Sequence, residues 1–203
     1  MFQVKIKGEQ PLIMHSGEAG LDTRSPANIA KAEITRKKGS NRTEADEARL
    51  RELDCQTSLW LDQDNKPTIP QDAIRRMIEN AARKGKQGGD VREGLVVVAV
   101  KFDYDAKKLG KTVEELGRKA QFTVPVVVQR SRLLRTRARF DDWSAEFVLD
   151  TDDELVDRQK LELWLDIGGR RIGLGDWRPE KSGHFGRFTV ESVKEIDKKP
   201  NWA

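Results

Sequence analysis

The chain has 203 residues, 35% of them charged and 36% hydrophobic, against roughly 25% charged in an average domain. Its 38 Lys and Arg face 34 Asp and Glu, a formal charge of only +4, so the placement of charge matters more than its sum. The longest apolar run, Leu95 to Val100, falls far short of the about 20 residues that cross a bilayer, and one cysteine with two histidines excludes a disulfide framework and a cysteine- or histidine-rich metal site. A membrane partner is not expected, and the chain reads as a cytoplasmic protein of a reducing compartment. Phe2, Val4 and Ile6 alternate with Gln3, Lys5 and Lys7, which predicts a half-buried strand instead of a secretory leader. The strand pattern resumes over 11–14. Ser25-Pro26 opens a polar helix over about 26–38 that stops at Gly39. Thr43 with Asp46 is a capping box for a second helix ending near Asp54. Leu59, Trp60 and Leu61 read as a short strand, and Asp62 to Pro67 as a turn-rich link. The stretch 15–68 is therefore expected to be a mobile, mostly helical insertion.

The clearest helix follows. Ile69-Pro70 leads into it, and Ala73, Ile74, Met77, Ile78, Ala81 and Ala82 share one face. Gly85, Gly88 and Gly89 are expected to end it. The unbroken apolar run from Leu95 to Phe102 predicts a central, doubly covered strand. Thr112 and Glu115 cap a small helix within 104–120. Phe122 to Val128 is β-rich and leads into RSRLLRTRARF, which closes a second insertion over 104–141. Phe147 to Leu149 form a strand. A helix over about 153–167 turns Val156, Leu161, Trp164 and Leu165 inward, a last strand runs from Phe185 to Val193, and 197–203 is a loose tail. Trp143 and Trp164 read as core or interface plugs, and Cys55 as a buried small hydrophobe beside a strand. Without the two insertions the order is strand, helix, strand, strand, helix, strand. That predicts a single α+β domain of the ferredoxin-like, modified RNA-recognition type (βαββαβ). Such a sheet leaves one face open, the face that RNA-recognition domains use.

Charge is segregated along the chain. Arg130, Arg132, Arg135, Arg137 and Arg139 fall within ten residues that hold no acid. Strand alternation puts Arg135, Arg137 and Arg139 on one face, and a bulge at Leu133-Leu134 would bring Arg130 and Arg132 to it. Such a comb meets acidic protein or follows a phosphate backbone, for which the planar guanidinium is well suited. The plain alternative is a charged, protected edge strand, but edge protection mixes Lys with Glu and has little need of five arginines. From Asp141 to Asp166 ten acids face only Arg158 and Lys160. Basic comb and acidic block can pair within one molecule or between copies stacked head to tail, and segregation favours the second.

Residues 168–188 read GGRRIGLGDWRPEKSGHFGRF. Its glycines allow sharp turns and close approach of backbone N–H groups to a phosphate. Arg170, Arg171, Arg178, Lys181 and Arg187 surround them, with His184 among the glycines. Trp177 either stacks on a base or plugs the core. The pattern Gly173-Leu-Gly175, a spacer, then Gly183-His-Phe-Gly186-Arg-Phe188 resembles the C-terminal glycine-rich loop of the RAMP superfamily, the repeat-associated RNA-binding proteins of CRISPR systems. Residues 69–76, IPQDAIRR, resemble that family's entry into its first helix, with Gln71 in place of a glycine, and residues 12–17, LIMHSG, resemble the end of its first strand. Size and insertions are most similar to the backbone subunit of effector complexes. The resemblance implies a protein that binds guide RNA, oligomerises along it and contacts other effector subunits. Residues 15–68 would match the family's helical insertion and 104–140 its thumb-like hairpin, the arginine comb would line the RNA groove, and Arg75 and Arg76 would lie near the RNA.

Catalysis is not the expected role. Some backbone subunits cleave RNA with an aspartate after the first strand, and Asp22 lies in roughly that region without a local motif to fix the match. The superfamily also holds guide-processing endoribonucleases that use histidine as general acid and base. By that resemblance His15 is the second catalytic candidate, and His184 more readily contacts phosphate or backbone. Walker, HExxH, DxDxDG and GxSxG patterns are absent from the sequence, and no cofactor or metal is expected. Two alternatives to the RNA-binding backbone remain: a metal-independent endoribonuclease, and a phage-borne protein-interaction module copying the fold.

Overall fold

The computed structural model describes residues 1–37, 41–128 and 131–203, with the backbone alone at 127, 128, 131 and 132. In chain order the elements are β1 (Phe2–Gly8), β2 (Leu12–Ile13), α1 (Gly17–Leu21), α2 (Pro26–Arg36), α3 (Glu44–Ser58), α4 (Gln71–Ala82), α5 (Gly88–Gly94), β3 (Leu95–Tyr104), α6 (Ala106–Leu109), α7 (Val113–Lys119), β4 (Gln121–Val128), β5 (Ser131–Phe140), β6 (Trp143–Thr151), α8 (Arg158–Ile167) and β7 (Phe188–Glu195). The chain is α+β with antiparallel strand pairing, and it divides into two compact units. One comprises Met1–Ile13, Thr68–Tyr104 and Asp141–Ala203; the other comprises Met14–Pro67 and Asp105–Phe140.

The first unit is a four-stranded sheet in the order β3-β6-β1-β7, each neighbour antiparallel. Period-two alternation sends Phe2, Val4 and Ile6 of β1 into the core, where Val4 lies opposite Phe147 and Val193. Ile74, Met77 and Ile78 of α4 and Leu161, Trp164 and Leu165 of α8 cover that face and are buried. Trp143 opens β6 fully buried, and its indole N–H donates to the Gln10 carbonyl at 2.8 Å. Gly8 lies directly beneath that ring, where a Cβ would overlap the indole. Truncating such a side chain to alanine costs about 3–5 kcal/mol.

The opposite face is polar. It carries Gln3, Lys5 and Lys7 of β1, with Lys5 bridged to Glu191 at 2.9 Å and Gln3 bonded to Glu146. The aromatic residues of the sheet all lie on the helix-covered side, where Phe102 rests against Tyr104 and Trp143, and Trp143 meets Phe188 edge-on. Among the described residues this open face therefore lacks the aromatic platform on which RNA-recognition sheets stack bases.

Three local expectations fail in this unit. The apolar run 95–100 forms an edge strand instead of a central one: β3 pairs only with β6, Val96 is 61% exposed, and the ladder is offset between Val97 and Ala99. Within the run Leu95 and Val97 are buried while Val98, Ala99 and Val100 are half-buried, so an apolar run by itself carries no information on strand order. Nor does glycine stop α4. The helix passes into a 3-10 turn, Arg83–Gly85, which ends with Lys86 in the left-handed conformation at φ 62, and Gly88 opens α5. Finally, α8 begins at Arg158, because Asp157 caps it by accepting the Lys160 amide at 2.8 Å.

In the second unit, α3 packs against α2, α7 and β5. Thr43 and Asp46 form a reciprocal capping box at its start, and Thr112 with Glu115 does the same for α7. α3 runs on to Ser58, past its expected end near Asp54, because Leu53, Cys55, Gln56, Thr57 and Ser58 are buried. Cys55 thus sits within a helix, its thiol against the Leu116 carbonyl. Leu59 caps α3, and Leu61 makes only an isolated bridge to Pro67, so the strand expected at 59–61 is absent. β4 and β5 form a hairpin whose register runs unbroken from Gln121 opposite Ala138 to Val128 opposite Ser131. Thr136, Ala138 and Phe140 face inward, and the Ala138 amide donates to the Ser58 hydroxyl at 2.8 Å. Among the described residues no helix is long and apolar enough to cross a membrane.

Candidate nucleic-acid interface

The unbroken hairpin register decides how the arginine comb is displayed. Leu133 lies opposite Val126 and Leu134 opposite Pro125, so the bulge expected there does not form. Arg135, Arg137 and Arg139 share one set of alternate positions. Arg132 falls in the other set, with Leu134 and Thr136. Its side chain, and Arg130 altogether, lie outside the described residues. The Arg139 guanidinium rests 5.2 Å from the centre of the Phe122 ring across the hairpin.

Arg135 and Arg137 line an open hollow of about 580 Å³ that lies wholly within the second unit. α2 contributes Lys31, α3 contributes Asp54, Thr57 and Ser58, and the segment after β2 contributes His15. Lys31 reaches Asp54 at 2.7 Å and donates to the Thr57 hydroxyl at 3.2 Å, and Arg135 stands 3.7 Å from the second Asp54 oxygen. Only 14% of the Asp54 side chain is exposed, against 46% of Arg135. Lys31, Arg135 and Arg137 thus line the hollow together with Asp54.

Burial, then the nearby Arg135, holds the Arg137 guanidinium below its ordinary pKa, with Asp54 working in the other direction. An arginine stays protonated regardless. His15 stands at the rim. Partial burial, then the charge of Arg137, lowers its pKa from the ordinary 6.5, so the imidazole is neutral at pH 7. The site can accept an anion on two converging guanidinium groups and offers a neutral proton acceptor beside it. Sequence reasoning missed Lys31, Asp54 and Thr57. They come from two separate helices, and their polarity there is indistinguishable from a solvated face until the helices are packed.

The glycine-rich segment behaves differently. Gly173, Gly175 and Gly186 have φ of 75, 78 and 66. A Cβ would strike the Ile13 carbonyl at Gly175, the Trp177 carbonyl at Gly183 and the Leu174 carbonyl at Gly186. The amides of Leu174, Asp176 and Gly186 donate to Gly186, Ile13 and Pro11 carbonyls at 2.8–2.9 Å. The glycines therefore serve backbone-on-backbone packing, and those amides are already bonded inside the unit. Trp177 is half-buried, at φ 47, and tilts against Phe185. Arg178 binds one Glu180 oxygen at 3.0 and 2.7 Å and the Gly175 carbonyl at 3.0 Å. Arg170 pairs with Asp166 at 2.9 Å. Arg171, Lys181, His184 and Arg187 are exposed, with the His184 ring 4.2 Å from Phe185.

The remaining candidates are dispersed. Asp22 ends α1, and its carboxylate accepts the Arg24 amide at 3.0 Å. It lines a different hollow from the one that holds His15. Arg75 is half-buried beside Arg92 and Val96 in the first unit, and Arg76 is exposed. Among the described residues no group of three His, Cys, Asp or Glu side chains is placed to hold a metal ion. No protein-family model matches the chain, and no curated protein matches it in sequence.

Proposed function

We propose that this chain is a cytoplasmic, non-enzymatic RNA-binding protein that assembles in copies along a guide RNA, with other subunits of a CRISPR-type effector complex. One observation carries the reading. Arg135 and Arg137 leave the hairpin on the same side and line, with Lys31, an open hollow in which Asp54 is the one acid among the lining residues. The strand order β3-β6-β1-β7, with α4 and α8 as the crossing helices, supports a ferredoxin-like body for the first unit. The three RAMP-like motifs support the family assignment. Binding through phosphates is sequence-tolerant and salt-dependent, while base pairing by the guide reads sequence. The test is anisotropy of a labelled oligoribonucleotide against salt concentration, together with the mass of the particle formed. An affinity indifferent to salt, or a species that stays a single chain on RNA, refutes it.

A second reading has one observation in its favour. His15, neutral and beside the cationic hollow, is able to take the proton of a ribose 2′-hydroxyl as its oxygen attacks the adjacent phosphorus and the 5′-oxygen departs with a proton from solvent. Incubation with RNA in EDTA separates the two. Cleavage that disappears in His15→Ala favours the nuclease; intact RNA favours the binding protein.

A further inference from the structure

A second hollow of the same unit has a different character. It spans about 830 Å³ between the α1–α2 junction, the end of α3, the turn after Leu61 and the start of α7. Pro26, Leu61 and Val113 give it apolar walls. Its charged lining residues are Asp22, Asp64 and Glu114 against Lys66 and Lys111, one more acid than base. An anion gains nothing there, whereas a neutral polar ligand is not opposed.

The hydroxyl groups at this hollow are already engaged. Ser25 donates to the Asp22 carbonyl at 3.1 Å and accepts the Asn28 amide at 3.3 Å. Thr57 donates to the Leu53 carbonyl at 3.0 Å, and Thr112 accepts the Glu115 amide at 3.2 Å. Gln56 is the exception. It is only 9% exposed, and its carboxamide nitrogen is buried with no hydrogen-bond partner. A buried donor is normally paired, because burial strips it of water. Beside it lies Gly117 of α7, where a Cβ would stand 2.8 Å from that nitrogen. With no side chain there, a half-turn about the last side-chain bond, a soft two-fold torsion, exchanges the two ends of the amide and brings the donor to the hollow.

Thr57, the next residue, also lines the hollow that holds Lys31 and Arg135, so the two spaces adjoin. A polynucleotide offers an anionic phosphate and, one sugar away, a neutral planar base. Base edges carry both donors and acceptors, and unstacked bases of single-stranded RNA are bound along them. A carboxamide that turns can meet any of the bases, as sequence-tolerant binding requires. We propose that the hollow at Gln56 receives one unstacked base of a bound RNA strand, held by the Gln56 carboxamide against the apolar walls. The inference rests on the nucleic-acid reading above and adds a base contact that phosphate binding alone does not supply.

The test compares two labelled strands of about ten nucleotides, equal in charge: a mixed-sequence oligoribonucleotide and an abasic ribose-phosphate strand. The base-bearing strand is expected to bind about tenfold more tightly, a difference of about 1.4 kcal/mol. Gln56→Leu should bring it close to the abasic strand while leaving abasic binding and the salt slope unchanged. Exchanging an unpaired buried amide for an apolar group should keep the fold; a thermal melt checks this, and Gln56→Met, nearer in shape, replaces that variant if it melts early. Equal binding of both strands by the unaltered protein, or a full preference retained in the folded variant, overturns the inference and leaves phosphate-led RNA binding standing. Binding of neither strand overturns both. Adenosine and uridine are competed against the base-bearing strand. If either matches its affinity, the ligand is a free nucleoside and the strand assignment falls.

Discussion

Replacing Arg135 and Arg137 together by alanine removes two of the three cations at the hollow and leaves Lys31 paired with Asp54 at 2.7 Å. Asp54 keeps Lys31 as its partner, so the unit should stay folded. Each phosphate contact to a single strand contributes about 0.7 to the slope of log affinity against log salt, so two lost contacts flatten it by about 1.4. Between 50 and 200 mM salt, a fourfold change, the fall in affinity should then be about sevenfold smaller than for the unaltered protein. Arg178→Ala supplies the contrast. Its guanidinium is engaged by Glu180 and the Gly175 carbonyl, so its loss should lower the melting temperature and leave the salt slope alone. Anisotropy titrations at five salt concentrations measure both. An unchanged slope in the double variant, or equal flattening in Arg178→Ala, refutes the assignment of β5 to the phosphate backbone.

Three further outcomes are expected. Gly186→Ala puts a Cβ against the Leu174 carbonyl at φ 66, which should cost more than about 2 kcal/mol in a denaturant titration; unchanged stability would show that the loop relaxes freely. Burial pushes the Cys55 thiol up to about 12, so the native protein should resist alkylation near neutral pH until it is unfolded, and rapid native labelling would contradict that packing. His15 has a lowered folded pKa, so below the ordinary 6.5 the unfolded chain binds the additional proton. Its contribution to stability is thus fully present above 6.5 and declines as pH falls toward the lowered folded value. Arg135, Arg137 and Lys31 oppose the new charge and Asp54 favours it. Thermal melts at pH 7.5 and 5.0 should show a larger loss for the unaltered protein than for His15→Ala; identical losses would remove His15 from the charged hollow.

Local features were legible where the physics is local. Thr43 with Asp46 and Thr112 with Glu115 announce helix starts because a cap needs only residues three apart. The apolar face of α4 and the alternation of β1 report which side chains are buried. Strand order was not legible for β3. Its apolar run looks central, yet β6 and β1 hold the centre, since side-chain pattern fixes a face and says nothing about which neighbours the backbone finds. The glycine-rich segment misled in a similar way. A glycine that admits a phosphate and a glycine that admits a neighbouring carbonyl are the same letter, and here the carbonyls of Ile13, Trp177 and Leu174 occupy the space.

The sequence by itself determined that arginines alternate along one strand and that a cation excess must be displayed somewhere, because composition and period are properties of the chain alone. Only the tertiary structure decided that the two insertions read in the sequence at 15–68 and 104–141 fold together as one unit, Met14–Pro67 with Asp105–Phe140. It alone brought Lys31, Asp54 and His15 to Arg135 and Arg137. The range of an ion pair is a few ångströms in space, whereas Asp54 and Arg135 lie 81 residues apart along the chain. No local pattern encodes that distance; the packing of α3 against β5 does.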